Sequence, residues 1–198
     1  MNALGVIADV YVPAYLKKRE LLNLFEITGA AFGSEIPVVS TLSFADCLTE
    51  YARFTKTVVE RSIDNLYNLG IARQQLCHQS YELGSRLRQK FGVKTTKDVM
   101  TACRIIYKCL GIDFKGTEKG EITICRCFFS GFYSEEVCGV ISCVDKGLVA
   151  GLSGGGKLSF TQKITEGMDC CKAEFIPQEH GIENSHRGGY RCWWCNCC

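Results

Sequence analysis

Residues 122–175 decide the fold class: ITICRCFFSGFYSEEVCGVISCVDKGLVAGL is followed by SGGGK and then by LSFTQKITEGMDCCKAEF. Apolar and polar residues alternate with a period of two in 122–129 and 157–165, which is typical of β-strands. The sequence VCGVISCVD at 137–145 predicts another strand, GLVAGL is a candidate for a further one, and CKAEFI predicts the last. SGGG predicts a tight hairpin turn, because glycine adopts positive φ without strain.

Helical periodicity precedes these strands. Apolar residues recur at spacings of three and four in 14–30, 43–68, 71–92 and 95–111, which predicts four amphipathic helices. Helices first and hairpin-linked strands afterwards predict an α+β fold, in which N-terminal helices pack on a C-terminal antiparallel sheet.

The predicted organisation is one domain with a short appendage. The domain covers residues 1–176, is helical in 1–112 and holds its sheet in 120–176. Residues 177–191 are polar and aperiodic, and they are predicted to be a linker. Residues 192–198, CWWCNCC, form a cysteine-rich tail.

Composition narrows the function classes. Hydrophobic residues make up 46% and charged residues 22% of the chain, which is typical of a globular protein. No apolar run approaches the roughly 20 residues that span a bilayer. A net charge of +2 with interleaved acidic and basic residues does not indicate nucleic-acid binding. The N-terminus lacks a basic start and reaches Asp9 early, so no signal peptide is expected and the predicted compartment is the cytoplasm.

Cysteine is unusually frequent, with 14 in 198 residues. Cytoplasmic thiols stay reduced, so a disulfide framework is the weaker alternative. Reduced cysteines at this density indicate metal or iron–sulfur ligation, or an anaerobic host. Strands that pair in a sheet would gather such thiols in one thiol-lined pocket. The predicted sheet ligands of a metal are Cys127, Cys138, Cys143 and Cys171.

The tail Cys192-x-x-Cys195-x-Cys197-Cys198 is the most specific chemical signal. Thiolates two residues apart reach one metal ion without strain, which favours an iron–sulfur cluster, of the 4Fe–4S type, or Zn²⁺. The alternative is a redox-labile chain end.

Cys143 and Asp145 lie two residues apart, so on a strand they share one face. A thiolate beside a carboxylate predicts either metal ligation or a nucleophile with its base. The alternative is that Asp145 begins a turn. His180 and His186 are weaker ligand candidates, expected to be exposed loop residues.

Several other residues are predicted to be structural. Cys47 and Cys103 fit the apolar stripes of their helices and are expected in the core, whereas Cys109 lies off its stripe. His78 is expected at the surface or in packing. The sequence GLSGGGK is close to a phosphate-binding loop, but Leu158 replaces the required Ser or Thr and a strand follows.

The order of these features resembles the L-2-amino-thiazoline-4-carboxylic acid hydrolase family and, more distantly, the 4-vinyl reductase domain. The matching pieces are Cys127 in RCFFS, Cys138 in EEVC, Cys143-Val-Asp145 and TEGMDCC at 165–171. The resemblance covers roughly residues 95–176. It implies helices packed on an antiparallel sheet and a pocket for a small apolar or tetrapyrrole-like molecule. In the hydrolase members it implies water attack on a thiazoline ring to give N-carbamoylcysteine.

We therefore expect a metal- or iron–sulfur-binding domain that takes a small-molecule ligand or substrate, with Cys143 and Asp145 as catalytic candidates. If it is an enzyme, a hydrolase acting on a C–N or C–S bond of a small cyclic substrate is expected. One alternative is a non-catalytic redox or ligand sensor, and another is a structural zinc domain that docks on a larger complex. A homodimer is also a candidate assembly.

Overall fold

The computed structural model describes residues 1–178 and confirms the α+β class. Along that part of the chain, six α-helices accompany one sheet of four strands. The helices are α1 (Ala3–Val10), α2 (Ala14–Phe32), α3 (Phe44–Ser62), α4 (Leu66–Phe91), α5 (Thr96–Cys109) and α6 (Glu135–Ser153). The strands are β1 (Ile112–Gly116), β2 (Glu121–Cys127), β3 (Lys157–Gln162) and β4 (Cys171–Ile176). None of the helices among these residues is long and apolar enough to cross a membrane.

The sheet is antiparallel throughout and has the strand order β1-β2-β4-β3. One face is covered by helices, and its side chains are buried: Ile112, Phe114, Ile122, Ile124, Leu158, Cys171, Ala173 and Phe175. The other face carries exposed residues such as Glu121, Lys172 and Glu174. Alternation with a period of two therefore correctly indicates which face of β2 and β4 enters the core.

A β-bulge interrupts the pairing of β1 with β2. Phe114 pairs with Ile124, but Ile112 pairs with Cys127 instead of Arg126. The extra residue on β2 reverses the alternation, because two residues on that strand oppose one on its neighbour. Cys127 consequently turns toward the helices, whereas Cys125 stays on the exposed face.

The strands predicted over 137–145 and in GLVAGL are wrong, because this segment is α6. Ser134 begins the helix, and its side chain accepts the N–H of Val137. Eleven of the 19 helical residues are buried, so the helix has no broad polar face whose periodicity would reveal it. The hairpin predicted for SGGG is also wrong: Gly154 ends α6 in the left-handed region, with φ of 79°, and β3 follows at Lys157.

Glycines allow α6 to lie directly on the backbone of α4. A Cβ on Gly147 would lie 2.1 Å from the Cys77 carbonyl oxygen, and one on Gly151 would lie 2.1 Å from the Tyr81 oxygen. On α4, a Cβ on Gly84 would come within 2.3 Å of the Leu148 oxygen. The two helices can therefore lie this close only because these three positions have no side chain.

The helices predicted over 14–30 and 95–111 are confirmed as α2 and α5. Thr95 and Asp98 form a capping box at the start of α5. The helices predicted over 43–68 and 71–92 are present as α3 and α4, but the boundary between them lies earlier in the chain. Helix α3 ends at Ser62, and Asn65 caps the start of α4. Helix α1 and strand β1 were not predicted.

Cys47 and Cys103 are completely buried in the hydrophobic core, which confirms their predicted structural role. The Cys47 thiol also donates to the Val39 carbonyl oxygen over 3.5 Å. Cys109 is half-buried and His78 is exposed, as their positions on the helices suggested.

We expect Gly147→Ala and Gly151→Ala to destabilise the protein by at least ~2 kcal/mol each, because a methyl group would push the two helix backbones apart. Gly139→Ala is the matched control in the same helix. No atom lies within 4 Å of a Cβ at that position, so alanine there should stabilise by roughly 0.5–1 kcal/mol. Urea unfolding measures both effects, and equal changes at positions 139 and 147 would contradict the close contact.

Candidate functional site

Two adjoining cavities lie inside the domain and share part of their walls. The outer cleft, of about 290 Å³, lies among α1, α2, α4, α5 and α6. The inner chamber, of about 90 Å³, lies between the covered face of the sheet and the helices. The residues that line both cavities are Leu24, Tyr107, Leu110, Val144 and Asp145.

The outer cleft is almost entirely apolar. Its walls include Leu16, Leu83, Leu87, Phe91, Ile106 and Leu148. Ile7 and Tyr11 also line it and are exposed, at 63% and 67%. The charged residues in its wall other than Asp145 are Lys17, Glu20 and Lys90. A concave apolar wall with few polar groups is typical of small-molecule sites.

The inner chamber carries the thiols. Cys127 reaches it through the β-bulge, Cys138 from the first turn of α6, and Cys171 from β4. The Cys171 sulfur accepts the N–H of Ile164 over 3.3 Å. The predicted thiol-lined pocket therefore exists for these three cysteines, and Lys163 and Ser142 are also in its wall.

Tyr51 and Tyr133 also line the chamber, and their hydroxyl groups are already partnered. Tyr51 shares a hydrogen bond of 3.1 Å with Thr28, and Tyr133 hydrogen-bonds Thr55. Burial raises the pKa of Tyr51 to about 12. These phenols are neutral and add a polar wall without adding charge.

Asp145 is the polar centre of the site. Its Oδ1 accepts a hydrogen bond of 2.7 Å from the Tyr107 hydroxyl, and the Tyr107 ring stacks on Phe114 at a centroid distance of 5.1 Å. Burial raises the pKa of the Asp145 carboxyl to about 6, although the Tyr107 hydrogen bond and the charges of Lys163 and Lys146 oppose that rise. Part of the side chain remains accessible because it faces both cavities.

The chamber thiols are held in the protonated form. Burial raises the pKa of Cys127 to about 11 and also raises the pKa values of Cys138 and Cys171. A thiol reacts as a nucleophile through its thiolate. These three cysteines are therefore weak nucleophiles at neutral pH, and the carboxyl is the group in the chamber that titrates near it.

The predicted pairing of Cys143 with Asp145 is wrong, because both lie on α6 and not on a strand. Residues two apart on a helix point about 200° away from each other. Cys143 lines neither cavity; it is completely buried. Burial raises its pKa and the nearby Arg73 opposes that shift. The structure therefore does not place the Cys143 thiol and the Asp145 carboxyl on one wall, as a nucleophile and its base would be.

The four predicted sheet ligands are not brought together as one set. Three of them line the chamber, and Cys143 does not. Over residues 1–178 there is no group of three or more His, Cys, Asp or Glu side chains that could hold a metal ion. His180, His186 and the tail cysteines at 192, 195, 197 and 198 lie outside the described residues, as does most of the predicted linker.

Cys125 and Cys170, which were predicted to be reduced, form a disulfide across β2 and the start of β4, with Cα atoms 4.2 Å apart. The register explains the bond. Ile124 pairs with Cys171, so the next residues along the antiparallel pair, Cys125 and Cys170, are also opposite each other. The other cysteines among residues 1–178 are not in disulfide bonds.

Sequence reasoning missed Tyr107, Lys163 and the residues of α1 that line the cleft. One available signal was the spacing of Cys138, Ser142 and Asp145, which are four and three residues apart. That spacing places them on one face of a helix. A strand interpretation of the segment concealed it.

Asp145→Asn tests the cost of the buried carboxylate. The folded pKa of about 6 lies above the unfolded value of about 3.9, so the folded state favours the protonated form. Stability should fall as pH rises through roughly 4 to 6, and the full penalty, ~3 kcal/mol, applies above that window. At pH 7.5 the substitution should therefore raise the free energy of unfolding by up to ~3 kcal/mol more than it does at pH 4.

Unfolding free energies measured across this range check the prediction. Tyr107→Phe removes the hydrogen bond to the carboxylate, so it should extend the window to higher pH. An Asp145→Asn effect that is the same at pH 4 and pH 7.5 would contradict the buried, titrating carboxyl.

The disulfide closes a loop with a sequence separation of 45. Its reduction should therefore destabilise the domain by about 4 kcal/mol, mainly by increasing the entropy of the unfolded chain. Dithiothreitol should lower the melting temperature of the unmodified protein. Dithiothreitol should not change the melting temperature of a Cys125→Ser/Cys170→Ser variant. A lower melting temperature in that variant would show that another disulfide is being reduced.

Comparisons with known proteins assign no family to this chain. No protein-family model, no curated protein and no solved structure matches it. The resemblance to the thiazoline hydrolase and 4-vinyl reductase families remains a prediction from the sequence. The geometry of the two cavities is therefore the basis for a functional interpretation.

Proposed function

We propose that this chain is a small-molecule-binding domain whose ligand occupies the outer cleft and reaches the Asp145–Tyr107 pair. The observation that carries the proposal is the apolar cleft of about 290 Å³ that has this hydrogen-bonded carboxyl in its wall. Its volume is at the lower end of the range for ligand sites, roughly 300–1,000 Å³, so the ligand is small. Its body is apolar and one polar group faces Asp145.

Several features support a site for a ligand over a packing defect. An unneeded void in a core loses dispersion contacts and costs stability. A buried carboxyl with a raised pKa adds a further cost, and such groups cluster at functional sites. Both features meet at Asp145, which lines the cleft and the chamber.

As an enzyme, the domain would be a hydrolase in which Asp145 is the acid–base residue. A carboxyl with a pKa of about 6 is suited to accept a proton from an attacking water and return it to a departing nitrogen or sulfur. Ring opening of a small cyclic substrate at a C–N or C–S bond fits this exchange. Cys143 has no part in this version of the proposal.

The proposed iron–sulfur or zinc centre now rests on the tail alone. Cys192, Cys195, Cys197 and Cys198 supply four thiolates within seven residues, which suits a 4Fe–4S cluster or Zn²⁺. Such a centre would serve a redox role or a structural role in docking on a larger complex. Metal and sulfide analysis of the full chain, purified without oxygen, distinguishes the two metals.

A second candidate function is redox sensing, and the Cys125–Cys170 disulfide favours it. Cys125 is exposed, so an external thiol can reach the bond. Each partner also lies within two residues of a chamber thiol, Cys127 or Cys171. Reduction would remove the covalent link between the two central strands at the end of their ladder, next to the chamber thiols. In this function, reduction should change the affinity of the cleft for a small apolar probe such as 1-octanol. An affinity that is the same before and after reduction would count against it.

Ile106→Phe tests where the ligand sits. Ile106 lines the outer cleft only, and Ile141 lines the inner chamber only. The probe is 1-octanol, which should raise the melting temperature because it binds the folded state. Ile106→Phe should narrow the cleft and weaken octanol binding at least tenfold, whereas the control Ile141→Phe should change it less than threefold. Calorimetric titration gives the affinities, and equal loss in both variants would contradict the assignment.

A further inference from the structure

We propose that the ligand is an amine with a small apolar body, bound as its ammonium form with the charged nitrogen against Asp145. This inference rests on the proposed function, because it specifies the chemical class that the same site accepts. It adds a charge preference that neither an apolar cleft nor a family resemblance supplies.

Asp145 lies on the α6 face that carries Cys138 and Ser142, and it lines both cavities. A ligand that fills the outer cleft therefore has this carboxyl in the wall around it. A carboxylate has about four lone-pair sites. The Tyr107 hydroxyl occupies one of them at Oδ1, which leaves acceptor capacity for a ligand N–H.

The groups around the Asp145 carboxyl add no further negative charge at pH 7.5. The titratable groups that interact with it are two phenols, five thiols and two lysines. The phenols are Tyr51 (α3) and Tyr107 (α5), and the thiols are Cys103 (α5), Cys127 (β2), Cys138 and Cys143 (α6) and Cys171 (β4). The lysines are Lys146 (α6) and Lys163, which follows β3. The phenols and thiols have raised pKa values and are neutral at pH 7.5. Of the lysines, Lys163 already lies 3.5 Å from the Glu166 carboxylate.

Desolvation of the carboxylate also favours a cation. The largely buried Asp145 carboxylate has lost much of its hydration, and a cation brought to it within an apolar cleft restores favourable interactions that water no longer provides. An alcohol in the same place offers a hydrogen bond without charge. A ligand carboxylate would be repelled by Asp145. The order of affinity expected at this carboxyl is therefore ammonium, then alcohol, then carboxylate.

The cleft has a second acidic residue, and it provides the control. Glu20 also lines the outer cleft, but its carboxylate contacts Arg19 at 3.0 Å and accepts a hydrogen bond from Asn23. Those partners already satisfy the Glu20 charge. An ammonium that was attracted by any carboxylate of the cleft wall would respond to both residues, whereas one held against Asp145 responds to Asp145 alone.

The experiment compares n-octylamine, 1-octanol and octanoate, which share one hydrocarbon chain and differ in the head group. Calorimetric titration at pH 7.5 should give an affinity for octylamine at least tenfold higher than for octanol, with octanoate the weakest. Asp145→Asn should reduce the octylamine-to-octanol ratio to within twofold of one. Glu20→Gln should leave that ratio unchanged.

A pH series on the unmodified protein gives an independent check that needs no variant. The amine stays protonated below pH 9, because its pKa resembles that of lysine, about 10.4. Octylamine affinity should therefore fall between pH 7.5 and pH 5 as Asp145 gains its proton, while octanol affinity stays constant.

The outcomes separate the two proposals. The amine preference is overturned and the small-molecule site kept if Ile106→Phe weakens octanol binding tenfold while the octylamine-to-octanol ratio is near one or octanoate binds most tightly. A ratio that falls equally in Glu20→Gln and Asp145→Asn also overturns it. No binding by any of the three compounds overturns the cleft as a ligand site, and the amine proposal with it.

Discussion

The backbone contact between α4 and α6 is the constraint on which the rest of the structure depends. Gly147 and Gly151 bring α6 against the carbonyl groups of Cys77 and Tyr81, so the helix lies within the core and not on its surface. A helix in that position presents its opposite side to the covered face of the sheet. Asp145, two residues before Gly147, is consequently carried into the interior, where the two cavities meet.

The surroundings of Asp145 make its burial costly, and the structure only partly offsets this cost. The Tyr107 hydroxyl stabilises the carboxylate, and stacking on Phe114 holds the phenol in place. The pKa nevertheless stays raised to about 6, so desolvation outweighs the hydrogen bond and the lysine charges. Carboxyls with strongly shifted pKa values cluster at functional sites, and this is the physical basis for the ligand proposed beside Asp145.

Local pattern predicted the elements that have one polar and one apolar face. Helices α2 and α5 and strands β2 and β4 are of that kind, and their boundaries agree closely with the sequence signals. Helix α6 is buried on most sides, so its Val, Ile and Cys residues resemble a strand, and only the packing against α4 reveals why its glycines are there. The bulge that turns Cys127 inward and the pairing of Cys125 with Cys170 depend on strand register, which the residues of one strand do not specify.

The two faces of α6 explain why neighbouring residues in its sequence have separate roles. Cys143, Gly147 and Gly151 are spaced by four and lie along the face that meets α4, whereas Cys138, Ser142 and Asp145 lie along the face that meets the chamber. Because the two faces belong to one rigid helix, its distance from α4 also sets how far Asp145 projects toward the sheet. The packing that stabilises the domain and the geometry of the candidate site are therefore fixed by the same contact, and a side chain added at either glycine would move the carboxyl as well as the helix.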